Sequence, residues 1–241
     1  MRLLIGGSPS KLFHLNEFAN NLNNLGMECK VVIDSQIYDG FPSRNIRNWL
    51  QSKDRFNDLL KQFRPDAIFI DRHRHFGVAA TKTGLPLFVH IRGDHWSEIE
   101  MAKETLYKTP PKRFVLKQWE KMAEQCFQKS TLMLPICDYL NNIVKQRYPE
   151  KDAVTLYQGI NPSNWYHVES VNLKHPCVGL LQGAVIFEKA KEMLVLEQVL
   201  KSLPHVTFYW VGDGPYRDYV LERLKNMIIS SGLGILITLK K

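Results

Sequence analysis

Gly183-Ala184-Val185-Ile186-Phe187-Glu188-Lys189, followed after a helical stretch by His205-Val206-Thr207-Phe208-Tyr209-Trp210-Val211-Gly212-Asp213-Gly214-Pro215, decides how this chain reads. The first piece is a glycine loop leading into an amphipathic helix that runs to Leu203. The second is an apolar run over 206–211 closed by a glycine-proline turn. A short apolar run bounded by such residues predicts a buried strand. Its turn falls at the strand's C-terminal end, where open α/β sheets place ligands. Helix N-terminal N–H groups and an ammonium both favour an anion, so the loop and Lys189 suit a phosphate. A lysine merely solvated at a helix start is the other reading of Lys189.

Upstream, residues 1–165 alternate strands and helices, which predicts a parallel α/β sheet. Arg2–Ile5 reads as a first strand ending in the loop Gly6-Gly7-Ser8-Pro9-Ser10, and a helix follows until Gly26. Glu28–Ile33, Asp66–Asp71, Leu85–Ile91 and Leu132–Ile136 read as further strands. Helices are expected over 56–63, 98–128 (broken at Pro110-Pro111) and 138–147, and Ala153–Tyr157 leads onward.

Composition describes an ordinary globular protein: 241 residues, 44% hydrophobic and 23% charged. No stretch approaches the roughly 20 apolar residues of a membrane span, and the first residues are too short an apolar run for a signal peptide. Cys29, Cys126, Cys137 and Cys177 lack metal-ligand spacing and read as reduced thiols of a cytoplasmic protein. A formal charge of +8 comes without a nucleic-acid motif, so no nucleic-acid partner is expected. It suits phosphates or an anionic membrane surface, or is simply a solvated basic surface. Lys103–Lys129, basic with interleaved aromatics, is the candidate for peripheral contact at the inner face of a membrane; core packing is its other reading.

Two strand mouths carry chemistry. Asp71-Arg72-His73-Arg74-His75 follows a strand, and two arginines with two histidines suit an anionic or hydroxyl-rich ligand. His73 and His75 also have the spacing of metal ligands, but no third ligand is near in sequence and no metal is expected. His90-Ile91-Arg92-Gly93-Asp94-His95-Trp96 follows the next strand. There Asp94 or His95 can bond a hydroxyl and Trp96 can stack on a ring, while Asp94 can instead cap the helix that starts near Ser97.

Gly183 to Lys189 with Val211-Gly212-Asp213-Gly214-Pro215 resembles the retaining family 4 glycosyltransferases of GT-B fold, and Tyr157-Gln158-Gly159-Ile160-Asn161 resembles their crossover between domains. The resemblance covers about 150–225. It departs from the family pattern at Ala184, where an arginine stands, and at Gln158, Asn161 and Ala190. It implies two Rossmann-like domains, over 1–165 and, incompletely, 173–241. The implied activity is sugar transfer from a nucleotide-sugar, itself the substrate, with retention and without a cofactor. Gly6, Gly7, Gly183, Lys189, Gly212, Asp213, Gly214 and Pro215 would hold the donor in the interdomain cleft. Arg92, Asp94 and His95 would face the transferred sugar, and Arg72, His73, Arg74 and His75 a glycan or lipid-linked acceptor. The alternatives are a non-catalytic binding module or a GT-B sugar-nucleotide epimerase. The family's Glu-x7-Glu segment is missing, and residues 227–241 lack the strand expected there. The expectation is therefore a longer enzyme interrupted by a frameshift, which the coding sequence tests.

Overall fold

Leu3, Leu4 and Ile5 are all buried, so the first strand presents apolar side chains on both faces, the mark of a central strand in a covered parallel sheet. The computed structural model describes every residue except 44, 168, 170, 171 and 232–241, and only the backbone of 225–231. The chain divides into Met1–Tyr166 and His167–Lys241.

In the first unit the elements are β1 (Arg2–Gly7), α1 (Leu12–Asn24), β2 (Glu28–Ile33), α2 (Asp34–Ile37), α3 (Asp54–Phe63), β3 (Ala67–Ile70), α4 (His75–Ala80), β4 (Leu87–Ile91), α5 (His95–Glu104), α6 (Pro110–Lys129), β5 (Leu132–Pro135) and α7 (Asp138–Arg147). The five strands are parallel in the order β2-β1-β3-β4-β5. Alternation divides their side chains between two cores. Leu4, Ile68, Ile70, Val89, Ile91 and Met133 pack with residues of α3, α4, α6 and α7. Leu3, Ile5, Ala67 and Phe69 pack with Leu15 and Ala19 of α1. After α7 the chain runs beside β5, with a parallel bridge from Met133 to Ala153 and the Leu156 amide donating to the Pro135 carbonyl at 2.8 Å.

One expectation changes here. Gly6 and Gly7 are not loop residues but the last two of β1, opposite Val32 and Ile33. They lack side chains because a Cβ at Gly6 would run into the Phe76 ring and one at Gly7 into Leu15. The loop proper begins at Ser8.

The second unit comprises β6 (Cys177–Leu181), α8 (Phe187–Glu192), α9 (Leu196–Ser202), β7 (Thr207–Val211) and α10 (Arg217–Ser231), with β6 and β7 parallel. The helix expected from the glycine loop to Leu203 is interrupted, because Met193–Val195 tightens to a 3-10 turn between α8 and α9. Phe208 and Trp210 pack with Ala184, Ala190, Met193, Leu200, Val220 and Leu224. Leu181 on the other face is 83% exposed. The frameshift expectation falls mostly on residues outside those described.

Candidate functional site

In β4 a histidine interrupts the apolar run: His90 lies between Val89 and Ile91 and is buried. Alternation turns it to the α1 face, where its ring is 5.5 Å from Phe69. A buried imidazole needs partners. Asp71, directly after β3, supplies one: its carboxylate is 3.0 Å from His90 Nδ1 and 2% exposed. Because a carboxylate only accepts, Nδ1 carries the proton. Arg92, two residues on and on the same face, also donates Nε–H to Asp71. It donates Nη1–H to Gln158 Oε1 at 2.9 Å, and Gln158 in turn donates to His14 Nδ1 at 3.0 Å. Burial alone would push the Asp71 carboxyl up, but the His90 hydrogen bond and the Arg92 charge outweigh it and hold it below the ordinary value. A cavity of about 100 Å³ lies here, and His90 Nε2 has no hydrogen-bond partner among the described residues.

The 72–75 segment splits between partners. Arg72 forms a bidentate pair with buried Asp34, at 2.7 Å for both contacts. His73 Nε2–H donates to the His90 carbonyl at 3.0 Å, and its ring packs 4.6 Å from Phe127. Arg74 stacks on Trp119 with 3.8 Å from its guanidinium carbon to the ring centre. His75 Nδ1 is 2.8 Å from Asp39. The two histidines therefore serve different partners rather than one metal. Arg72, Arg74, His75 and Trp119 line a cavity of about 560 Å³.

Asp94 is the N-cap of α5, its carboxylate accepting from the Ser97 amide at 3.1 Å and the Ser97 hydroxyl at 2.6 Å. His95 turns to the aromatic cluster of His73, Trp96 and Phe127. Burial, then the charge of Arg74, pushes His95 down to about 4; burial, then His95, pushes His73 down to about 3. Arg92 thus joins Asp71 and His90, while His95 joins His73.

In the second unit the loops after β6 and β7 hold each other through main-chain atoms. The Ala184 amide donates to the Asp213 carbonyl at 2.9 Å, and the Tyr216 amide to the Ala184 carbonyl at 3.1 Å. Trp210 Nε1–H donates to the Gln182 carbonyl at 2.7 Å. A Cβ at Gly212 would overlap that carbonyl, and one at Gly214, at φ +145°, the carbonyl of Ala184. Gly183 and Asp213 lie at the contact of the loops, and Pro215 leads into α10. Lys189 is exposed on α8, with no ion-pair partner among the described residues.

Sequence reading missed Asp34, Asp39 and His14, and did not single out Asp71 or His90. The usable signal was a polar residue inside, or immediately after, an apolar strand.

No family model matches the sequence, and no curated protein matches it. Solved structures match in fold. The chain is similar to S. aureus MnaA, determined with UDP: TM-score 0.58 at 13% identity, covering 99% of this chain and 68% of that one. It is similar to the lipopolysaccharide outer core galactosyltransferase WaaB in its apo form: 0.53 at 12%, covering 97% and 67%. With Glycyrrhiza uralensis UGT73P12, complexed with glycyrrhetinic acid 3-O-monoglucuronide, the values are 0.50 at 14%, covering 99% and 63%. The fold is GT-B-like. The chain spans 63% to 68% of the length of these three structures.

Proposed function

We propose that the chain carries the framework of a glycosyltransferase that moves a sugar from a nucleotide-sugar to an acceptor, with retention. The observation that supports it most is a GT-B-like match over 97–99% of the chain, including a neighbour determined with UDP and a galactosyltransferase. The donor diphosphate is assigned to the second unit. Lys189 there is an exposed cation without a partner among the described residues, on the helix that follows the glycine loop. Its charge would offset the leaving group in the transition state, with no metal required.

Arg92 is the residue assigned to the transferred sugar, steadied by Asp71, and the acceptor is assigned to the cavity lined by Arg72, Arg74 and His75. Asp94 and His95 act in this scheme by fixing α5. A binding module without turnover is the second reading. It is favoured by Ala184, which is fully buried with both main-chain polar groups used in the loop contact, and so offers no cation where the resembled family has one.

Calorimetry with UDP tests the donor assignment. Lys189→Ala is expected to weaken binding by about 1–3 kcal/mol, the scale of a charge-assisted contact. Lys191→Ala should cost much less. Equal affinity of wild type and Lys189→Ala would remove the donor site from this position.

A peripheral membrane contact, with the enzyme on the cytoplasmic side, belongs to the same proposal. Phe41 and Trp49, 4.8 Å apart, and Phe114, 6.1 Å from Phe41, are each two-fifths to one-half exposed. Exposed Lys108, Lys112, Arg113 and Lys117 surround the start of α6. Aromatic side chains flanked by cations match an anionic lipid surface. No described helix is long and apolar enough to cross a membrane. Phe114→Ser should reduce co-sedimentation with phosphatidylglycerol vesicles several-fold; unchanged co-sedimentation would discard the contact.

A further inference from the structure

The cavity beside α2, α4 and α6 is lined by four ionisable side chains, Asp39, Arg72, Arg74 and His75, whose pairing is uneven. Arg72 is matched by Asp34 through two hydrogen bonds. Asp39 is matched by His75, and also accepts from the Ser43 hydroxyl and from Asn48 Nδ2 at 3.0 Å. Arg74 has no carboxylate partner among the described residues, and its Nη1 is buried without a hydrogen bond. Its guanidinium lies over the Trp119 ring, whose own Nε1–H donates to the Pro42 carbonyl at 3.2 Å. Burial, then the charge of Arg72, pushes Arg74 down to about 10, against the smaller pull of Asp34 and Asp39. An unpaired buried charge is costly, and an incoming anion would remove that cost.

His75 adds a second requirement. It is 7% exposed, and the Asp39 carboxylate obliges Nδ1 to donate. In the neutral ring Nε2 then presents a lone pair, which no described residue meets. Gly40 packs on this edge of the ring, where a Cβ would come within 3.1 Å of it, and Nε2 is buried there without a partner among the described residues. Trp119 and Tyr107, with ring centres 5.6 Å apart, supply an apolar wall.

We infer that this cavity recognises a ligand with an anionic group and a neighbouring hydroxyl, the anion on Arg74 and the hydroxyl on His75 Nε2, while Arg72 and His73 are structural. The chemistry is that of a phosphorylated or carboxylated polyol or sugar. As an acceptor subsite it rests on the transferase reading above; as a binding site it stands on the cavity alone.

Calorimetry on the full chain with three probes, glycerol 3-phosphate, glucuronate and glucose, decides it. At least one charged probe is expected to bind about tenfold or more tightly than glucose. A preference for glycerol 3-phosphate identifies phosphate as the anion, and a preference for glucuronate identifies carboxylate. Arg74→Gln, checked for unchanged cooperative unfolding, should lose that preference, and His75→Phe should weaken the charged probes and glucose alike. Binding of all three probes with equal affinity, no binding of a charged probe at millimolar concentration, or full preference in Arg74→Gln would overturn the inference. If Arg74→Gln does not fold, the wild-type preference decides by itself. UDP binding that depends on Lys189, in a protein with no anion preference here, would leave the transferase reading intact and this one refuted.

Discussion

Asp71→Asn is expected to destabilise the first unit by about 3–5 kcal/mol, the cost of leaving a buried cation without its partner. The carboxylate is 2% exposed and serves both His90 and Arg92, whose side chain is itself only 17% exposed. The amide keeps the shape, but its nitrogen brings a further donor to a place already occupied by two. Urea unfolding at pH 7 measures the loss, and a change below about 1 kcal/mol would show that the charge pairing contributes little. The sign of the pH dependence follows from the depressed carboxyl. A group held below its unfolded value of about 3.9 contributes fully above that pH, and its contribution disappears as pH falls through the folded value. The gap between wild type and Asp71→Asn should therefore be constant down to about pH 5 and close only in strong acid.

The second large effect is expected in a different pH window. His73 and His95, pushed down to about 3 and about 4, are held neutral in the aromatic cluster around Phe127. Above about pH 6.5 the folded and unfolded chains carry the same protons on these rings. Below it the unfolded chain takes up protons that the folded one refuses, so stability falls as pH falls toward the folded values. A loss on the order of 3 kcal/mol between about pH 6.5 and 4.5 is expected, since a tenfold difference in proton affinity corresponds to about 1.4 kcal/mol and the two rings influence each other. His95→Phe keeps an aromatic ring in the cluster and cannot titrate, so its acid limb should be visibly shallower. An identical limb in wild type and His95→Phe would place the acid sensitivity elsewhere.

Much of the architecture was visible in the sequence because it is local. Runs such as Ala67–Ile70 and Leu87–Ile91, bounded by proline, glycine or charge, announced strands. Asp94 ahead of Ser97 offered a helix cap as the alternative to a sugar contact, and Asp94 does cap α5. The pairings that shape the candidate site are non-local, and spacing along the chain does not reveal them. Arg72 finds Asp34, 38 residues away, because the order β2-β1-β3 sets the ends of β2 and β3 on either side of β1. Arg92 reaches Gln158 across 66 residues for a similar reason. Gly6 and Gly7 show a further limit: a glycine pair before a helix reads as a ligand loop, yet neighbouring side chains suffice to require them. Likewise 72–75 looks like one basic tetrad until Asp34, Asp39 and Trp119 divide it.

The bond from Trp210 to the Gln182 carbonyl also has a spectroscopic consequence. Of the five tryptophans, only Trp210 lies in the second unit, and its indole nitrogen grips the loop that carries Gly183. With Trp49, Trp96, Trp119 and Trp165 replaced by phenylalanine, the remaining emission becomes a built-in reporter of that loop. Opening of the main-chain clasp between the two turns would register as a wavelength change, with no label attached and no acceptor or turnover needed.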